Sequence, residues 1–269
     1  MSGNFKPPLW AQLNLDHPLA RGLVGCWLLN ETSGNKTHDY SGQGNTGTLT
    51  NMNDPPIATS GWVPGPHGGA LAFDGSNDYV QCGDVNFPVG ASPRTVVVWL
   101  QRNSSANFPK YEHPFKYGTS TAYQDFGMYG VVNTKDIEFR GNAYDFDTGI
   151  DLDDVLWHQI SLVFDGTYLM AYKDAFLIST TNRSLLNTVL SSVTQFRIGM
   201  SGSGIESWNG LVSSVSIYNR ALSAEEIAYL YAFPFCMYEA ETLPLWMISG
   251  GGVSYIAQIS DYYRQMRAA

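Results

Sequence analysis

The sequence predicts an all-β protein of antiparallel strands closed by one short helix, and three observations carry that prediction. Apolar and polar residues alternate over short stretches, as in Ser214-Val215-Ser216-Ile217-Tyr218, the period of a strand with one side on a core. The 269 residues hold 27 Gly and 13 Pro, with 13% aromatic and only 14% charged residues. That balance suits a strand-rich globular chain punctuated by turns and not a disordered one. The third observation is one stretch with clear helix signals. Ser223 and Glu226 have the spacing of a capping box, Leu222 and Ile227 that of a hydrophobic staple, and Pro234 stops the helix.

Residues 1–21 read as an arm, because Pro7-Pro8 and His17-Pro18 prevent regular structure while Leu9, Trp10, Leu13 and Leu15 are too apolar for a free tail. Leu23 to Leu29 is a continuous apolar strand. A polar loop over 30–47 leads to a short strand at Gly47–Thr50, and 51–69 is a Pro- and Gly-laden connection around Trp62. Leu71–Phe73 and Tyr79–Cys82 flank Asp74-Gly-Ser-Asn-Asp78, which predicts a hairpin. Thr95–Gln101 is apolar on both faces and belongs in the middle of a sheet. Further strands are expected at Phe115–Tyr117, Phe126–Val132 and Ile137–Arg140. His158, Ile160, Leu162 and Phe164 form one face of the next, and Asp165-Gly166 opens a meander through Tyr168–Lys173 and Ala175–Ser179. Gln195–Met200 precedes the closing strand. The expected core comprises Val98, Ile160, Leu162, Phe164, Val215, Ile217 and Ile227, and 234–269 reads as an extension outside it.

Four stretches carry a family resemblance in a fixed order. They are Gly22-Leu-Val-Gly-Cys-Trp27 with Asp39-Tyr-Ser-Gly-Gln-Gly-Asn45, then Leu71-Ala-Phe-Asp-Gly-Ser-Asn-Asp-Tyr-Val80, then Trp157-His-Gln-Ile-Ser-Leu-Val-Phe-Asp-Gly166. The last is Ile217-Tyr-Asn-Arg-Ala-Leu-Ser with Glu226-Ile and Leu230-Tyr231. Together they resemble laminin-G-like, concanavalin A-like jelly rolls over about residues 20–232. The resemblance implies one antiparallel β-sandwich at 22–233, with an arm at 1–21 and a C-terminal extension at 234–269. Ser213 departs from relatives, which often carry Asp there.

A net charge of −9 and the lack of clustered Lys and Arg exclude nucleic acid as the partner. No apolar run is long enough to cross a membrane, and the start, Met-Ser-Gly-Asn-Phe-Lys, has no signal core. Cys26, Cys82 and Cys236 are an odd, unpaired set, read as free thiols of a chain made in the host cytoplasm.

These residues bear on three chemistries. Hydrolysis on such a sandwich needs two carboxylates on one strand face; Asp151 and Asp153 alternate correctly but look like a strand entry, and the glucanase pattern Glu-x-Asp-x-Glu is absent. His158 reads as a hydrogen-bonded structural residue. Calcium takes six to eight oxygens, and the loop Asp39 to Asn45 offers Asp39, Asn45 and the region of Ser41, where similar loops in laminin-G-like modules hold the ion. The same residues equally suit turn capping. Sugar binding uses aromatic faces beside polar groups, for which Tyr111, Tyr117, Tyr123, Tyr144 and Trp208 stand in loops or at strand ends.

The continuation Leu-Tyr-Ala-Phe-Pro-Phe-Cys-Met-Tyr238 resembles stand-alone laminin-G-like proteins of tailed phages. That likeness implies a non-enzymatic virion protein, a head-decoration or adhesion module with virion proteins, copies of itself or surface glycans as partners. The alternative is a polysaccharide-binding lectin or glycoside hydrolase of the same fold. Trp10, Leu245, Trp246, Ile248, Tyr255 and Ile259 are the apolar residues expected to dock on a partner subunit.

Overall fold

A computed structural model of the chain describes residues 5–9, 11–191, 195–201 and 206–239. Its first strands are β1 (Gln12–Leu13), β2 (Leu23–Trp27), β3 (Lys36–Thr37), β4 (Gly47–Thr50), β5 (Gly61–Gly65), β6 (Gly68–Asp74), β7 (Tyr79–Cys82) and β8 (Arg94–Arg102). Then come β9 (Glu112–Gly118), β10 (Asp125–Gly130), β11 (Asp136–Arg140), β12 (Phe146–Asp151), β13 (His158–Phe164), β14 (Tyr168–Lys173) and β15 (Phe176–Asn182). The last are β16 (Phe196–Ile198), β17 (Asn209–Tyr218), the helix α1 (Ala224–Ala232) and β18 (Tyr238–Glu239).

These strands form two antiparallel sheets laid face to face. The front sheet runs β12-β11-β10-β9-β16-β7-β4-β3 and the back sheet β15-β14-β13-β8-β17-β6-β5, with β2 also paired to β17. The meander β13-β14-β15 follows the Asp165-Gly166 turn as expected. β8 lies between β13 and β17, which is why its residues are apolar on both sides. Between the sheets, Trp27 stacks on Phe196 at 4.9 Å and packs in one cluster with Val98, Ile160, Leu162, Phe164, Val215 and Ile217, all fully buried.

Ile227 is buried in a different place. The outer face of the back sheet presents Cys26, Val97, Val163, Tyr172 and Tyr218, and Ile227 and Leu230 of α1 cover them. The capping box of Ser223 and Glu226 is formed, and Leu222 is buried at its staple position. Tyr231 of the same helix is half-exposed and lies flat on Trp99 at 5.5 Å. The expectation of a single core is therefore corrected: the back sheet is buried on both sides, as its two-sided apolar strands require.

The chain ends contribute to that second layer. Ala11 and Leu19 of the arm and Phe235, Met237 and Tyr238 beyond the helix are buried in it, and β1 pairs with β18 to tie the ends together. The boundary at 233 is thus corrected, because residues 234–239 pack on the chain's own sandwich. Lys6 anchors the arm by donating to the carbonyls of Leu29, Gly69 and Ser213. Trp10, Leu245, Trp246, Ile248, Tyr255 and Ile259 lie outside the described residues.

Three strand expectations are also corrected. β6 and β7 do not pair; the Asp74–Asp78 turn carries the chain from the back sheet to the front one. Phe73 and Val80 both face the shared core, and β17 and β16 are their partners, so turn composition marks the bend without choosing the neighbour. Residues 61–65, read as part of a connection, form β5 at the sheet edge, where Pro64 costs no ladder bond. Residues 146–151 form β12, although Gly149 and three polar residues hide the alternation.

Candidate functional site

The back sheet is roofed by the helix and both chain ends, which leaves the outer face of the front sheet as the broad polar surface. Its strands alternate strictly: Phe126, Met128, Ile137 and Phe139 point into the core, so Asp125, Gly127, Tyr129, Asp136, Glu138 and Arg140 face outward. Strand register then sets a row across the sheet, Arg140–Gly127–Lys116–Arg197–Gln81–Thr48–Lys36. Gly127 leaves the row low between Arg140 and Lys116, where a Cβ would come within 2.9 Å of the Phe115 carbonyl oxygen.

Aromatic rings stand beside a guanidinium at three places, two on this face and one at its loop end, where the turns after β9 and β11 meet. Tyr111, 41% exposed, meets Tyr129 edge-on at 5.4 Å, with Arg140 5.6 Å from the Tyr129 ring. Tyr123, 38% exposed, meets Tyr144 edge-on at 5.0 Å, with Arg183 4.7 Å from Tyr144. Arg197 lies 4.6 Å from Tyr79 and donates to Gln81 Oε1 at 2.9 Å. The first two pairs flank opposite ends of β9, roughly 20 Å apart at the rise of a strand.

The charges between them are held in fixed pairs. Lys116 Nζ and Arg140 Nε lie 3.2 and 3.4 Å from Asp125 Oδ2. Burial pushes the Asp125 carboxyl up to about 6, and the two cations oppose that shift. Tyr129 donates to Glu138 Oε2; burial first, and that carboxylate second, raise its hydroxyl above the ordinary range. The arrangement offers ring faces, donors and acceptors, but no loosened proton on Tyr129.

The structure divides the aromatic residues expected to bind sugar. Tyr111 reaches this face and Tyr123 and Tyr144 stand at its loop end, whereas Tyr117 and Trp208 have no exposed surface. Tyr117 packs on Phe87 and Phe126, and its hydroxyl accepts from Arg94; Trp208 packs beside Phe108. Both belong to the core, and their assignment is corrected. Tyr129, Arg140, Glu138, Arg183, Tyr79 and Arg197 were missed. The period-2 pattern of 125–129 and 136–140 contained the signal for half of them.

The loop from Asp39 to Asn45 does not fit a calcium site. Asp39 Oδ1 accepts from the Cys26 and Ser41 amides, and Oδ2 from Ser41 Oγ and the Asn45 amide, all at 2.8–2.9 Å. Asn45 is buried and joins Val24 and Val85 through both ends of its amide. A cation would have to displace donors from every oxygen of Asp39. Calcium is expected to leave the melting temperature unchanged, while Asp39→Ala lowers stability by about 2 kcal/mol through the amides it strands. A melting temperature that rises with calcium and stops rising in Asp39→Ala would restore the ion.

Asp151 and Asp153 stand at the edge of the front sheet, where two carboxylates are not aligned across a groove. Asp151 ends β12 opposite Asp136, and Asp153 is exposed in the following loop. Nearby, His158 bridges two carboxylates, with Nδ1 2.6 Å from Asp174 and Nε2 3.0 Å from Asp154. The hydrogen bond to Asp174, foremost, raises the imidazole above its ordinary value against the effect of burial. A raised folded-state value means the stabilisation is complete below the unfolded value and is lost as pH rises through the folded one. His158→Gln should therefore cost about 2 kcal/mol in mild acid, and the deficit should shrink above neutral pH in melting curves taken across the range. A deficit independent of pH would show that the charge is not involved.

A two-sheet sandwich with one roofed sheet and one polar, aromatic-studded sheet defines a lectin-like class of protein. The chain belongs to the concanavalin A-like lectin/glucanases superfamily, whose laminin G-type model matches residues 74–228. No curated protein sequence matches it. Among solved structures it is similar to the binding domain of Paraclostridial mosquitocidal protein 1, with TM-score 0.59 and 14% identity over 79% of this chain. The chain spans 52% of that structure. It is similar over 98% of domain 4 of AbnA, a GH43 extracellular arabinanase from Geobacillus stearothermophilus solved with arabinotriose. That match has TM-score 0.58 and 14% identity over 78% of this chain. Trypanosoma rangeli sialidase, solved with sialic acid, gives TM-score 0.57 and 18% identity over 80% of this chain and 33% of the enzyme.

Proposed function

We propose that this chain is a non-catalytic carbohydrate-binding module whose sugar site is the outer face of the front sheet. The observation that carries the reading is the set of half-exposed tyrosines, Tyr111 and Tyr123 above all, at the two ends of β9, with the polar row crossing between them. Ring faces take the apolar side of a sugar, and Arg140, Glu138, Arg183 and Gln81 supply donors and acceptors for hydroxyls. The spacing suits an oligosaccharide and exceeds the reach of a single sugar. Domain 4 of the arabinanase, solved with arabinotriose, supports the ligand class, and the toxin binding domain supports the absence of turnover. Support for a non-catalytic role also comes from the carboxylates, since Asp125 and Glu138 are each held by partners on the face itself.

Affinity electrophoresis against a polysaccharide panel that includes arabinan tests this. At least one polysaccharide should retard the chain, and Tyr111→Ala and Tyr123→Ala should each weaken binding about tenfold, the loss of roughly 1.4 kcal/mol per contact. Retardation by none, or binding indifferent to both variants, would overturn the reading. Release of sugar that disappears in Asp151→Asn would make the chain a hydrolase instead.

A second reading places the module on a virion as a head-decoration or adhesion protein, through which glycan binding would act in attachment. It rests on the likeness of Leu230 to Tyr238 to phage proteins, and that segment is built into the second apolar layer here. Mass spectrometry of purified particles for this chain, with its copy number, decides it.

A further inference from the structure

Charge is divided unevenly across the front sheet. At one side, β10, β11 and β12 carry Asp125, Asp136, Glu138, Asp147 and Asp151. At the other, β16, β7, β4 and β3 carry Arg197 and Lys36 and contain no aspartate or glutamate. The row that crosses the outer face holds Arg140, Lys116, Arg197 and Lys36 and no acid. A merely solvated surface intersperses the two signs, and this separation stands out in a chain of net charge −9.

Two of these four cations are answered, since Lys116 and Arg140 share the Asp125 carboxylate at 3.2 and 3.4 Å. Arg197 is held by neutral groups alone. Its Nε donates to Gln81 Oε1 at 2.9 Å, its Nη1 donates to the Ser201 carbonyl at 3.1 Å, and its guanidinium lies over the Tyr79 ring, 4.6 Å from the centre. These contacts aim the fork without cancelling its charge. Nη2, which carries two N–H groups, has no partner among the described residues, and no carboxylate there is salt-bridged to Arg197 or Lys36. Lys36 Nζ donates to Thr48 Oγ1 at 2.6 Å, so its ammonium leans toward Arg197, two strand spacings or roughly 10 Å away.

An aimed guanidinium with its charge unspent suits a planar anion that can accept two parallel hydrogen bonds, which a carboxylate does. Arg197 is the register partner of Lys116 on β9, so it stands beside the path from Tyr111 to Tyr123. We propose, resting on the assignment of the sugar site to this face, that its ligand is an acidic polysaccharide whose sugars carry carboxylates, and that Arg197 reads the carboxylate. The sugar's carboxylate accepts from the open edge of Arg197, Gln81 and Thr48 meet hydroxyls, and Lys36 attracts the next charge along the polymer. The acidic strands β10 to β12 repel the same polymer and so decide on which half of the face it lies.

The test is affinity electrophoresis of the full chain in polygalacturonate, alginate and hyaluronate, each beside its methyl-esterified form, which keeps the sugars and removes the charge. Arabinan serves as a neutral polymer. At least one acidic polymer should bind about tenfold more tightly than its ester, with the difference shrinking as salt rises. Arg197→Gln should bring the acid form down to the level of the ester. Arg197→Lys, which keeps the charge and loses the fork, should recover only part of the preference. Melting curves that match the parent's separate loss of contact from loss of fold. Lys36→Gln, at an exposed position, should lower the acid preference about threefold and serves if the Arg197 variants do not fold. Binding to arabinan or to the esters with no gain from charge leaves the sugar site in place and overturns the acidic class. Binding to no polymer removes the sugar site itself, and the acidic class with it. An acid preference that survives Arg197→Gln, or that Arg197→Lys keeps in full, overturns the role of Arg197.

Discussion

Arg94→Ala should cost about 4 kcal/mol, which makes it one of the most damaging single changes in the chain. The guanidinium is completely buried between the sheets, and among the described residues no carboxylate is salt-bridged to it. It donates instead to carbonyls of the 88–92 loop, Gly90 at 2.7 Å, Ser92 at 2.9 Å and Pro88 at 3.1 Å, and to the Tyr117 hydroxyl at 3.2 Å. Its flat face lies 5.3 and 5.6 Å from the rings of Phe126 and Phe164. Burying a cation without a counter-charge is costly, and an apolar replacement of equal size sometimes gains stability. Here the carbonyls decide the sign, because several acceptors lose their donor at once and each stranded group costs about 1–3 kcal/mol. Arg94→Met, which keeps most of the volume, should still lose about 2 kcal/mol. Urea denaturation midpoints check both values, and an Arg94→Met protein as stable as the parent would show that packing alone matters.

Arg94 also illustrates what the sequence shows and what it conceals. The strand around it is legible from Thr95 to Gln101 because two buried faces demand two apolar rows. Nothing in the order of residues says that an arginine at the strand's start points inward and holds a loop. The capping box at Ser223 and Glu226 is legible because both partners lie within one turn. The destination of Phe73 and Val80 is not, since their partners Gly210 and Ile198 lie more than a hundred residues away.

The candidate site divides along the same line. Tyr111, Tyr123 and Tyr144 stand in polar loops, and their exposure follows from that context. Tyr117 stands in a strand of alternating character, where a shift of one position moves a ring from solvent to core; the neighbours Phe115 and Lys116 settle it once the register is known. Asp39 and Asn45 show the opposite problem. A metal loop and a capped turn draw on the same residue types, and only the donors around Asp39 separate them. Residues 61–65 and 146–151 escaped because proline and glycine mask a strand at a sheet edge.

Phe235→Ala tests the part of the molecule that sequence reasoning placed elsewhere. The ring is 5% exposed and stands 5.5 Å from His67, which itself meets Trp99 at 4.8 Å. Two residues on, Met237 covers the Tyr218 hydroxyl, and the Tyr238 hydroxyl lies 2.8 Å from the Cys26 sulfur. Truncating a buried phenylalanine costs about 3–5 kcal/mol. In a domain of this size that lowers the melting temperature by on the order of 10 °C. The loss should reach beyond one side chain, because Phe235 holds the chain that brings β18 to β1. Hydrogen exchange of the Gln12 and Leu13 amides should therefore accelerate in the variant more than exchange in β8, whose amides lie inside the back sheet. If the segment after the helix were a free arm reserved for a partner, the variant would melt with the parent and neither strand would change. A fall below 2 °C, with protection of β1 intact, would detach residues 234–239 from the sandwich and return them to that role.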